Sequence, residues 1–253
     1  MIYDLQKASF WKRIAAWMFD GILTGILAVG FGLLLSMLLG YDGYSAQVDA
    51  AYDRYEAQYG IVFEITQDEY QAMDEQTRQN YDTAYEALIA DAEAMYAYNM
   101  MLNLTLVITS LGILMAVLLW ELVIPLWLGN GQTLGKKIFS LGLIRNDGVK
   151  LNCMQLFART LLGKFTIETM GPVYVLIMLF WGTTGLPGTL LLFALLIAQA
   201  LCLIITRDNC AIHDLIAGTV VVDISSQMIF RTTEDLIAYK KKIAAEQAAR
   251  QVY

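Results

Sequence analysis

The amino-acid sequence predicts an all-α membrane protein. It has four transmembrane helices, an inserted extracellular helical hairpin, and a short cytoplasmic β-hairpin joined to an elbow. Three observations lead there. First, 57% of the 253 residues are hydrophobic and 16% are charged, and the apolar residues come in long unbroken blocks, as in chains that cross a bilayer. Second, of 17 Lys and Arg residues only Arg54 and Arg78 lie between positions 41 and 99. Third, that segment holds 13 Asp and Glu, a net charge of −11, whereas the whole chain carries −7.

The blocks divide the chain into 1–40, 41–99, 100–128, 129–155, 156–206 and 207–253. The first apolar run, 14 to about 39, exceeds the short core of a cleavable signal peptide and no A-x-A-like site follows it, so it reads as an uncleaved anchor. Further runs cover about 102–128, 156–181 and 186–206. Each is close to or above the roughly 20 residues a helix needs to cross the hydrocarbon. The basic residues outside 41–99 then fall on one side, which the positive-inside rule makes cytoplasmic. Both termini are expected there, in the cell membrane. Residues 182–187, GTTGLP, read as a short external turn.

The acidic segment shows helical spacing. Val48, Tyr52, Tyr55 and Tyr59 form one seam, and Tyr81, Tyr85, Leu88, Ala92 and Met95 another. Gly60 separates them. Thr66 to Glu69 fits a capping box, and with no Gly or Pro until Gly112 the second helix is expected to run on into the second span. Its acidity reads either as a solvated face or as a surface that gathers cations or a basic partner protein.

Ionisable side chains inside the spans are costly and usually face the bundle interior. Asp20 lies about 9 Å into the first span, Glu121 about 10 Å into the second, and Lys164 and Glu168 about 12 and 18 Å into the third, so all four can meet in the inner half. Arg13 and Asp20, seven apart, share a face, and an interfacial clamp is the preferred reading for that pair. Lys164 and Glu168, four apart, can pair along one helix. Pro125 frees the Glu121 carbonyl. Gly163 and Gly171 permit close helix approach, and Gly171-Pro172 invites a break in the third span. Two readings stay open: mutual neutralisation that fixes helix register, or a carboxylate site for a cation or proton with Lys164 as counter-charge.

After the second span, Gly129 to Gly148 reads as an elbow carrying Gly131, Gly135 and Lys136, then a hairpin of Leu141–Arg145, an Asn-Asp-Gly turn and 149–151. The GQTLGKK run lacks the G-x-x-x-x-G-K-[ST] pattern, which removes nucleotide binding. No zinc spacing, calcium loop or catalytic constellation occurs, so neither a metal, a cofactor nor an enzymatic role is expected. The odd cysteine count (Cys153, Cys202, Cys210) fits reduced thiols. The acidic balance excludes a nucleic-acid partner. Residues 224–253 read as a cytoplasmic helix whose Lys240, Lys241 and Lys242 can touch anionic lipid.

Three blocks, in order, resemble the RDD family of membrane proteins: Lys12 to Asp20, then GQTLGKK with the strand after it, then His213-Asp214-Leu215-Ile216-Ala217-Gly218-Thr219. On these positions Arg13, Asp20 and Asp214 are the family's namesake residues. The resemblance implies a membrane protein with proposed transport roles, cation/proton exchange among them. Residues 41–99 and the tail after Asp223 depart from the compact family core. Arg13 and Asp214 are expected to clamp the first span to the segment after the last. His213, which can titrate near neutrality, reads as structural beside Asp214. Two functions remain: a secondary transporter, needing a homo-oligomer because four helices are few, or an adaptor whose acidic hairpin binds an extracellular protein.

Overall fold

The computed structural model describes residues 4–181, 185–206 and 210–251. Its helices are α1 (Phe10–Leu39), α2 (Tyr41–Tyr59), α3 (Gln67–Ala72), α4 (Glu75–Ala90) and α5 (Ala92–Leu118). A π-helical turn, Leu119–Val123, then leads into α6 (Ile124–Leu128) and α7 (Leu134–Ile138). Strand β1 (Leu141–Arg145) and α8 (Cys153–Ala158) precede a second π-helical stretch, Arg159–Glu168. The chain closes with α9 (Gly171–Trp181), α10 (Gly185–Ile205), α11 (Ile212–Ala217), β2 (Thr219–Asp223) and α12 (Thr233–Gln251). Three helices, 10–39, 92–128 and 188–205, are long and apolar enough to cross a membrane among the described residues. The chain divides into two compact units, 32–111 and the combination of 1–31 with 112–253.

The stretch expected as the third span is not one continuous α-helix. α8, the π stretch and α9 follow one another, and Met170 takes a left-handed φ of 51° between the last two. Gly171 and Pro172 then open α9, where a proline lacking N–H is tolerated. Of the turn expected at 182–187, residues 185–187 belong to α10, and 182–184 lie outside the described residues.

Strand β1 keeps its expected position but changes partner. It pairs antiparallel with β2, Leu141 opposite Asp223 and Arg145 opposite Thr219. The local turn survives as a bridge between Ile144 and Lys150 and two bonds, from the Arg145 N–H to the Val149 carbonyl and from the Gly148 N–H to the Arg145 carbonyl. Burial decides the outcome. Leu141 and Leu143 pack with Ala8, Ala16, Leu156 and Val221, while Ile144 joins Val220, Val222 and Cys210 in a second cluster. Residues 149–151 offer one long apolar side chain at each end and Lys150 between, too little to cover both faces. The sheet edge also takes the chain's beginning: the Ala8 N–H donates to the Val221 carbonyl, and Lys12 pairs with Asp223 at 2.8 Å. On the tail side, Phe230 and Leu236 of the α12 region cover Val149.

In the 32–111 unit, the second arm of the hairpin is interrupted twice. Asp74 caps α4 by accepting from the Gln76 and Thr77 N–H groups at 3.0 and 2.9 Å. Asp91 caps α5 by accepting from Glu93 and Ala94. A short carboxylate competes well for backbone N–H groups, so an Asp stops and restarts a helix without Gly or Pro. The Thr66–Glu69 capping box forms as expected and opens α3. The seams shift by a residue: Val48, Ala51, Ala84 and Leu88 are buried, while Tyr52 and Tyr85 stay exposed.

Candidate functional site

Along α1, exposed residues alternate with half-buried ones. Only Ala16 and Asp20, one turn apart, are buried, and that stripe meets the elbow. Gly135 permits the approach, because a Cβ there would stand 2.6 Å from the Ala16 carbonyl oxygen. Thr133 caps α7 and turns its hydroxyl to Asp20. The Asp20 carboxylate therefore accepts three neutral donors: the Thr133 hydroxyl, the Trp120 indole N–H at 3.0 Å and the Gly135 N–H at 2.9 Å. Buried as it is, the carboxylate needs that many partners to be held in a low-dielectric interior. Arg13, on the same face, turns instead to Asp214, with its Nη2 3.4 Å from Oδ2. The expected Arg13–Asp20 clamp is thus replaced by two separate anchors.

Glu121 sits in the first π turn and is 3% exposed. Its Oε2 accepts from Lys136 and Arg159, each at 3.3 Å, and its Oε1 accepts from Lys164. Pro125 leaves the Glu121 carbonyl without its usual N–H donor, and the Thr160 hydroxyl takes that place at 3.0 Å. Three cations thus meet one carboxylate, and one of them is the Lys164 expected to pair with Glu168. The π winding explains the change, since a helix bonded from i to i+5 no longer stacks residues four apart as an α-helix does.

Arg159 joins the pieces and is 2% exposed. Its Nε donates to Asp214 Oδ1 at 2.9 Å, its Nη1 donates to Glu121, and its Nη2 lies 2.7 Å from His213 Nε2. A guanidinium has only donors, so His213 Nε2 accepts, and the network assigns the ring proton to Nδ1. That N–H faces Glu168 Oε1, which also accepts from Gln199 Nε2 at 2.7 Å. Gln199 in turn accepts from the Ile212 N–H. Gly163 lets α11 close on the π stretch, since a Cβ there would lie 2.7 Å from His213 Cα.

The Asp214 carboxylate is fully buried; besides the two arginines it accepts from the Thr219 hydroxyl and, as a helix cap, from the Ala211 N–H. In all, the carboxylates Asp20, Glu121, Glu168 and Asp214 are balanced by Arg13, Lys136, Arg159 and Lys164. A cavity of about 480 Å³ opens beside them, with Arg13, Asp20, Lys164 and Glu168 on its polar side and Leu192, Leu196 and Leu203 of α10 on its apolar side.

A sequence profile of the RDD family matches residues 7–218, most of the chain. The chain belongs to the RDD family. No curated protein and no solved structure matches it. RDD proteins are membrane proteins, in keeping with the three long apolar helices. Within the RDD match, the three blocks converge on one charge network: Arg13 and Asp20 from the first, Gly135 and Lys136 from the second, His213 and Asp214 from the third. Gly131 has a different task. It takes a left-handed φ of 61°, and a Cβ there would lie 2.7 Å from Leu143 Cβ, so it seats the elbow on β1.

Sequence reasoning missed Arg159, Thr133, Trp120, Thr160 and Gln199. Arg159 had a visible signal, an arginine three residues after the start of an apolar block, but counting it among the basic flanks hid its depth. The hydroxyl and amide partners carry no signal distinguishable from ordinary polar residues near helix ends.

Proposed function

We propose that this RDD protein is a secondary transporter that exchanges a monovalent cation for a proton at Glu168. The broken stretch 153–181 makes a fourth crossing in this reading, both termini are cytoplasmic in the cell membrane, and 41–99 lies outside. What carries the reading is the position of Glu168. Asp20 and Glu168 both line the cavity held by neutral groups, but Asp20 is closed in by three donors and 4% exposed, whereas Glu168 has two partners, His213 and Gln199, and keeps 22% of its side chain open. Four carboxylates against four basic side chains leave the network neutral, and one cation or one proton at Glu168 adds a single positive charge. A cation at Glu168 or a proton shared between Glu168 and His213 gives the same net charge, which makes the two alternatives compete. The nearby break at Met170 is the kind of discontinuity that midplane sites in transporters use. Four crossings are few for a path, so the working unit is a homo-oligomer.

Purified protein in liposomes tests this. An imposed sodium, potassium or lithium gradient is expected to drive protons the opposite way, and Glu168→Gln, eluting as a monodisperse species, is expected to abolish the movement. Proton movement absent with every cation, or unchanged in Glu168→Gln, sinks the proposal.

The acidity of 41–99 favours a second reading, a membrane adaptor. There the network only holds the bundle, and removal of 45–97 releases a bound partner while flux is absent throughout.

A further inference from the structure

We propose that Tyr52, Tyr85 and Tyr98 form an aromatic cage that binds a small quaternary ammonium cation. The site lies wholly within 32–111 and is independent of the exchange reading.

The three tyrosines come from three helices, α2, α4 and α5, and converge on a cavity of about 190 Å³. The Tyr52 hydroxyl lies in electrostatic range of those of Tyr85 and Tyr98. The floor is aliphatic, with Val48, Ala51 and Leu88 among its side chains. Phe63 fixes the Tyr52 ring, meeting it edge-on at 5.3 Å and 86°. The cavity is smaller than the roughly 300–1,000 Å³ of a drug-sized pocket, so its occupant is a compact one.

Charge decides the occupant's sign. The unit has 13 acidic residues and two arginines. Each arginine already sits over a tyrosine outside the cage, Arg54 over Tyr55 at 5.1 Å and Arg78 over Tyr70 at 5.6 Å. Within 32–111 the cage rings therefore face neither arginine, in a segment whose field draws cations in. Asp49 precedes Tyr52 by one turn on α2 and Glu86 follows Tyr85. An alkali ion or a primary ammonium would leave its hydration shell for an aliphatic floor that offers no acceptor. A quaternary ammonium needs no hydrogen bond; its methyl groups suit the floor and its diffuse charge suits ring faces.

The full chain in phosphatidylglycerol nanodiscs, which contain no quaternary ammonium, is titrated with choline by calorimetry. Saturable binding is expected. Tyr85→Leu and Tyr98→Leu, at partly exposed positions, are each expected to weaken it about tenfold, a cation–π contribution of ordinary size. Tyr85→Phe and Tyr98→Phe keep the ring face and are expected to stay within threefold of the parent. Near-UV circular dichroism checks that every variant keeps its fold. The proposal is overturned by absence of saturable binding. Equal affinity for 3,3-dimethylbutan-1-ol, the uncharged isostere of choline, overturns it too, as does loss of binding in the phenylalanine variants or full binding in the leucine ones.

Discussion

In residues 32–111, Glu69, Asp74 and Asp91 accept from backbone N–H or hydroxyl groups at helix starts, and Glu69 and Asp74 do so in full contact with solvent. In the other unit, Asp20, Glu121 and Asp214 are shut away and answered by indole, hydroxyl, ammonium and guanidinium donors. The same side chain thus acts as a local helix stop in one place and as a long-range tie in the other. Dielectric is the difference. In water a lost partner is replaced by solvent; inside the bundle it leaves an uncompensated charge. The two regions also carry separate reporters. All five tryptophans lie outside 32–111, and most tyrosines lie inside it.

The contrast is broken most severely at Arg159. Arg159→Leu strips Asp214, Glu121 and His213 of a donor at once. The expected cost is about 3–5 kcal/mol, read as loss of the thermal transition in tryptophan fluorescence. The tyrosine signal of 32–111 is expected to persist, and its simultaneous collapse would contradict the independence of the two regions. Gly163→Ala comes next. Its new Cβ meets His213 Cα and backbone that cannot swing aside, so about 1–3 kcal/mol is expected to be lost, checked by the same melt.

The smallest effect is acid sensitivity of the exposed caps. Hydrogen bonds from the Ala94 N–H, and from Glu93, Tyr55 and Arg54, hold Asp91 below the usual carboxylate range. Thr77 does the same for Asp74. A carboxylate lowered in the folded state stabilises fully above its unfolded pKa, near about 4, and less as pH falls through the folded value. Tyrosine near-UV dichroism is therefore expected to fade below about pH 4 while α4 and α5 fray at their starts. In Asp74→Asn, which caps without titrating, the part due to α4 is expected to vanish. A loss that begins near pH 6 would point to other groups.

The apolar blocks and the charged positions inside them were legible because lipid demands helices and rare ions declare themselves against Leu and Ile. Asp20, Glu121, Lys164 and Glu168 do lie in one region, yet their pairing was not legible. Reading Lys164 with Glu168 assumed α spacing, and the segment from Arg159 to Glu168 winds as a π-helix. The Asn-Asp-Gly turn was a true local signal and still lost its strand, because only β2 supplied branched residues to both faces of β1. Asp91 hid a helix break that no glycine or proline announced.

Strand β1 finds its partner more than seventy residues further along the chain. During synthesis it waits roughly 4–15 s for β2 to emerge at ordinary elongation rates. For most of that interval Glu121 and Arg159 have been made and Asp214 has not. A nascent chain stalled short of β2 therefore holds an unfinished ionic lattice, and its survival at that moment depends on whatever shelters it until the last strand arrives.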